Sequence, residues 1–184
     1  MSYDCGNIKS PDKAFLSVDI NKLFIENNID SKTYEVIAQS NERIPTRINH
    51  QLIIGYKNTN FPSSINVSLN NSEIYQPSNK PGFIWGPLLL DKQYSCSLSI
   101  LGLLNNMNIK GTLKIFNDSG MVARRKININ EGESYNITEE FLRNTNNPKE
   151  GMHWYTVESP ITGLQAFTII TNNKTKVSSG EHNF

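Results

Sequence analysis

Along most of the second half of this chain, hydrophobic and polar residues alternate with a period of two, the pattern of strands with one buried face. In QYSCSLSIL, Tyr94, Cys96, Leu98 and Ile100 fall on one face and Ser95, Ser97 and Ser99 on the other. GTLKIFN repeats the form with Leu113 and Ile115. The turn residues NDSG, Asn117 to Gly120, predict a hairpin back onto 121–130. In that returning strand Ile127 and Ile129 share a face, with Arg124 and Lys126 opposite. HWYTVES predicts a further strand, with either Tyr155 and Val157 or Trp154 and Thr156 turned inward. Gly163 to Thr171 predicts another. Asn172-Asn173 suits a two-residue turn because Asn tolerates positive φ, and Lys176 to Phe184 then returns as the last strand.

Helix signals are few. Asn136-Ile137-Thr138-Glu139 has capping-box spacing and predicts a short helix from Ile137 to Arg143. Asp19 before Ile20, Leu23 and Phe24 predicts a second. AFLSVDI, KTYEVIAQS, RINHQLIIGYKN and SSINVSLN are strand candidates in the less regular first half. QPSNKPGFIWGP reads as a loop by its prolines and glycines. LIIGYKNTNFPSSINVSLNNS is echoed by LSILGLLNNMNIKGTLKIFNDS about 46 residues later, as a duplicated hairpin, or convergent strand–turn patterning in an Asn-rich chain, would give. Short strands at this spacing, with no βαβ alternation, predict an all-β, antiparallel β-sandwich (jelly-roll/Ig-like) with one or two short helices. The expected organisation is a single domain, 1–184, its two sheet halves divided near 76–87.

Composition narrows the function classes. The 184 residues can bury a core without disulfide staples. Only 19% are charged, and asparagine supplies the missing polarity, favouring turns over helix interiors. A net charge of +1 gives no field to draw in nucleic acid and no basic segment for an anionic membrane, so neither is an expected partner. MSYDCGNIKS has no apolar signal core, which predicts a cytoplasmic setting, or an extracellular one if a signal has been removed. Cys5 and Cys96 follow no metal or redox spacing and are expected as thiols, with Cys96 buried in its strand.

The stretch from Tyr94 to Thr171 carries a family resemblance. Its order is an apolar strand, GTLKIFNDSG, a return strand closing on ININEGESYNI, a short link, and WYTVESPITGLQAF. The residues that carry it are Leu113, Ile115, Asn117, Gly120, Gly132, Tyr135, Val157, Glu158, Ser159, Pro160, Ile161 and Gly163. This order resembles the soluble β-sandwich family of sensory rhodopsin transducers and related bacterial domains. The resemblance implies a non-enzymatic, oligomeric sandwich that binds a partner or small ligand. It covers less than half the chain and brings no catalytic residues.

Two places could carry chemistry. His153-Trp154-Tyr155, joined by Trp85, could form an aromatic platform for a sugar, against the alternative that a sandwich buries its aromatics. The end of the chain, SSGEHNF, could dock as an assembly strand through Glu181, His182 and Phe184. Neighbours on a strand point to opposite faces, so Glu181 and His182 cannot share one metal ion in regular geometry. No P-loop, nucleophile elbow or dinucleotide turn is present. The reading favoured by these residues is a non-catalytic, self-assembling or partner-binding sandwich, forming a homo-oligomer and needing no cofactor or metal. A carbohydrate-binding module using Trp85, Trp154 and Tyr155 is the alternative. A metal-dependent hydrolase using His153, Glu181 and His182 is a third.

Overall fold

Alternation along the strands becomes two facing layers. The structure is a computed structural model that describes residues 18–29, 51–54, 63–66, 80–102, 108–130, 134–137, 144, 150–161 and 163–183. The chain forms two compact units, Met1–Ile37 and Ala38–Phe184. In the first, α1 spans Ile20–Glu26. Asp19 caps it, its carboxylate accepting from the Lys22 amide at 3.0 Å, as the sequence predicts. No residue of α1 is buried.

The second unit holds β1 (Gln51–Ile54), β2 (Ser63–Asn66), β3 (Gly82–Leu90), β4 (Tyr94–Gly102) and β5 (Ile109–Asn117). It continues with β6 (Gly120–Ile129), β7 (Ser134–Ile137), β8 (Gly151–Ser159), β9 (Leu164–Asn172) and β10 (Ser178–Asn183). One antiparallel sheet has the order β10-β9-β4-β7 and the other β3-β8-β5-β6, with β1 and β2 paired beside them. Among the described strands, only β5–β6 and β9–β10 are hairpins within one four-stranded sheet. Every other step from β3 onward crosses between the layers. This wrapping is the jelly-roll form of sandwich. Among the described residues, no helix is long and apolar enough to cross a membrane.

The core lies between the two sheets. β4 contributes Cys96, Leu98 and Ile100, as its alternation requires, and β9 contributes Ala166. From the facing sheet come Ile84, Leu88 and Leu90 of β3, Leu113 and Ile115 of β5, Ile127 and Ile129 of β6, and Tyr155 and Val157 of β8. The open choice in HWYTVES thus resolves with Tyr155 and Val157 inward. Packing is tight at Gly111, where a Cβ would sit 3.1 Å from the Glu158 carbonyl.

Several expectations change. Gly82 to Pro87 is not loop but the first part of β3, and the layers do not divide at 76–87. β3 is an edge strand, with one partner only, and edge strands are where a sheet tolerates proline. Ile137 is a strand residue opposite Leu98, not the start of a helix, since burying it against β4 outweighs the local capping signal. The β9–β10 turn is longer than Asn172-Asn173. The Asn172 side chain accepts from the amides of Lys174 and Thr175, and Lys176 takes the positive φ of 58°. The two halves of the sequence echo also differ: β1 pairs with β2, whereas β4 and β5 lie in different sheets. Of AFLSVDI, Asp19 and Ile20 are not strand but the cap and first residue of α1, while 14–17, KTYEVIAQS and 138–143 fall outside the described residues.

Candidate functional site

Cross-strand register decides what lies on the outer face of the β3-β8-β5-β6 sheet. Directly paired residues share a face, so the register reads as rows across the four strands. One row is Pro87, Trp154, Phe116 and Met121. The next is Trp85, Thr156, Lys114 and Arg124. A third is Phe83, Glu158, Thr112 and Lys126. Leu89 and Met152 stand beside the first row.

This face opens large apolar side chains to solvent. Trp85 is 63% exposed and Trp154 41%. Phe83, Met121 and Met152 are exposed as well. Among the described residues of the two four-stranded sheets, these five make up the exposed large hydrophobics. The Trp154 and Phe116 rings stack with centroids 5.7 Å apart and planes 9° apart, a direct cross-strand pair. A register shift between Ile115 and Phe116 inserts one extra residue in β6. It turns Val122 into the core and keeps Met121 outward beside Phe116, while Arg124 and Lys126 also face out. The electrostatics of the face are simple. Lys114 Nζ meets Glu158 Oε1 at 2.6 Å, which neutralises both charges and leaves Arg124 and Lys126 as a basic strip along β6.

The predicted site residues separate. Trp85 and Trp154 stand on the outer face. Tyr155 and His153 do not join them: Tyr155 is 0% and His153 2% exposed, because they occupy the inward positions of β8. The proposed four-residue platform is corrected to two of its members on that ground. His153 Nδ1 lies 3.1 Å from the Gly151 carbonyl, and Nε2 has no hydrogen-bond partner among the described residues. Glu181 lies on β10 opposite Thr168, and His182 opposite Phe167, so the end of the chain is a strand laid along β9. Phe184 and the His182 side chain lie outside the described residues. His153 is enclosed in the opposite sheet from β10, and no group of three His, Cys, Asp or Glu able to hold a metal gathers among the described residues.

Sequence reasoning did not single out Phe83, Phe116, Met121 and Met152. GFIWGPLLL, apolar on both faces of its strand, is the signal that could have found the face. No protein family, curated protein or solved structure matches the chain.

Proposed function

We propose that this chain is a non-catalytic, self-assembling β-sandwich module whose working surface is the outer face of the β3-β8-β5-β6 sheet. The observation that carries this reading is the cluster of exposed large hydrophobics on that one face: Trp85, Trp154, Phe83, Met121 and Met152. A contiguous apolar patch of this kind marks an interaction site in a folded protein. Its aromatics, methionines and Arg124 are of the kinds enriched at protein interfaces, while Lys114, Glu158 and Lys126 are of the kinds found at their polar rim. A net charge of +1 puts little repulsion between copies. Jelly-roll sandwiches serve as capsid and lectin domains alike, so the fold itself does not choose between assembly and ligand binding. The resemblance to sensory rhodopsin transducers points in the same direction, toward an oligomeric sandwich.

The carbohydrate reading is the weaker of the two. The Trp154 row is apolar from Pro87 to Met121, and of the polar groups in the rows beside it Lys114 and Glu158 already pair with each other. With Tyr155 inward, the platform also loses a ring.

The test is light scattering on a sizing column over a range of concentrations. The wild-type chain is expected to associate. A Trp85→Ser, Trp154→Ser variant is expected to be a folded monomer, with at least about a hundredfold weaker association, as for two hot-spot residues. A wild-type chain that stays monomeric at the highest concentration overturns the reading.

A further inference from the structure

The four-stranded face is complementary to itself, and from this we infer that it pairs with the same face of a second copy about a two-fold axis running parallel to the strands. The inference rests on the assembly reading above and specifies its geometry. Such an axis, lying midway between β8 and β5, reverses each row onto itself, so that β3 of one copy covers β6 of the other. Trp85 then faces Arg124 of the second copy, and Phe83 faces Lys126. Each is a cation over an aromatic ring, made twice because a two-fold interface repeats every contact. Trp154 faces Phe116, and Pro87 faces Met121, so the apolar row closes on apolar groups. Thr156 meets Lys114, and Glu158 meets Thr112, so no like charges stand directly opposed.

The other simple axis, across the strands, fails this test. Placed along the middle row, it would set Arg124 against Arg124 and Lys114 against Lys114 of the second copy, like charges opposed at high cost. The size is also suitable. Four strands about 4.8 Å apart, over about eight residues of length, give on the order of 500 Å² of flat sheet. Side-chain relief brings this toward the roughly 800 Å² per partner of a standard interface. Aligned sheets pack about 10 Å apart with strands crossing at about 30°, which lets the two layers of side chains interleave.

Pro87 and Met121 give a direct test. Within one chain they lie three strands apart, about 14 Å, beyond a cross-linker that spans about 10 Å. Between copies related by the proposed axis they are opposed across the sheet-to-sheet distance of about 10 Å. In a Cys5→Ser background, a Pro87→Cys, Met121→Cys variant is therefore expected to form a covalent dimer with a short bis-maleimide, seen on a denaturing gel. Neither single variant should do so. A second measurement does not depend on cross-linking: Arg124→Glu is expected to weaken dimerisation about tenfold or more, because it places a carboxylate over the Trp85 ring. If the double variant associates by light scattering yet does not cross-link, or a single variant cross-links to itself, the axis is wrong and the assembly reading survives. If Arg124→Glu leaves dimerisation unchanged, the cation–aromatic pairing is overturned. If the unsubstituted chain is a monomer throughout, the assembly reading itself has failed.

Discussion

The two outer faces of this sandwich are built from the same kind of strand and end up opposite in character. On the β10-β9-β4-β7 sheet, β4 turns Ser95, Ser97 and Ser99 outward. Beside them, Thr171 and Ser178 are buried, their hydroxyls 2.9 Å apart, and the β1–β2 hairpin lies next to β10. On the β3-β8-β5-β6 sheet, β3 and β8 turn Phe83, Trp85, Met152 and Trp154 outward to solvent. The first face sets its serines beside half-buried Ile169 and Phe167, and its buried Thr171 and Ser178 pair with each other. The other exposes rings and thioethers that water does not favour. Folding one chain explains the first face. The second is surplus to folding, and that surplus is the ground for giving it a function.

The largest expected effect separates neighbours on β8. Tyr155 is fully buried and Trp154 is exposed, one residue apart on opposite faces. Tyr155→Ala is expected to destabilise the fold by about 3–5 kcal/mol, as for a large aromatic removed from a core. Trp154→Ala should cost less, about 1–3 kcal/mol, from the stacking on Phe116 and the covered part of its ring. Urea unfolding at concentrations below association measures both. Equal losses would mean that the outer face is already part of one chain's core, and the contrast between the faces would collapse.

How much of this contrast can be read from sequence depends on whether one face of a strand is polar. β4, β5 and the β5–β6 hairpin are legible because serine, threonine and lysine mark the outward positions and NDSG marks the turn. Asn117 plays the part expected of it, accepting from the Ser119 amide at 2.9 Å, with Gly120 at a φ of 113°. β3 is illegible for the opposite reason. With apolar residues outward as well as inward, GFIWGPLLL has no alternation, and Pro87 and two glycines suggest a loop. The property that makes the face a candidate site is the one that hides its strand. The inward choice at β8 had the same origin, since aromatic residues stand on both sides of it. The single-residue bulge in β6 leaves no local signal either. It reverses the alternation between Met121 and Arg124 through pairing with β5, a partner distant from any local window.

A smaller effect is expected on the plain face. Thr171→Val keeps the shape and removes one hydroxyl, leaving that of Ser178 buried without it. The expected cost is about 1–3 kcal/mol, the penalty of an unsatisfied buried group. Adding Ser178→Ala should restore most of it, because the orphaned group is then gone. A double-mutant cycle in urea isolates this coupling. A cost near zero for Thr171→Val, with no recovery in the double variant, would show that solvent reaches this pair. The two outer faces would then differ less than their burial indicates.

The smallest effect belongs to the Lys114–Glu158 pair, and it sharpens the comparison by its dependence on association. The two residues lie diagonally across β5 and β8 at 2.6 Å, with side-chain exposures of 24% and 48%. A half-exposed ion pair is screened by water and contributes at most about 1 kcal/mol. Glu158→Gln in the monomer is therefore expected to lose less than that, with the loss shrinking further as salt is added. Covering the face changes the result. In the dimer the Lys114 ammonium is withdrawn from water, and without Glu158 it is buried uncompensated. The same substitution should then weaken dimerisation more than it weakens folding. Measuring unfolding and dimerisation on one Glu158→Gln sample separates the two. A large loss already present in the monomer would mean that this face is covered within one chain. Equal and small losses in both would place the pair at the rim of the interface, outside the rows that the two-fold axis brings together.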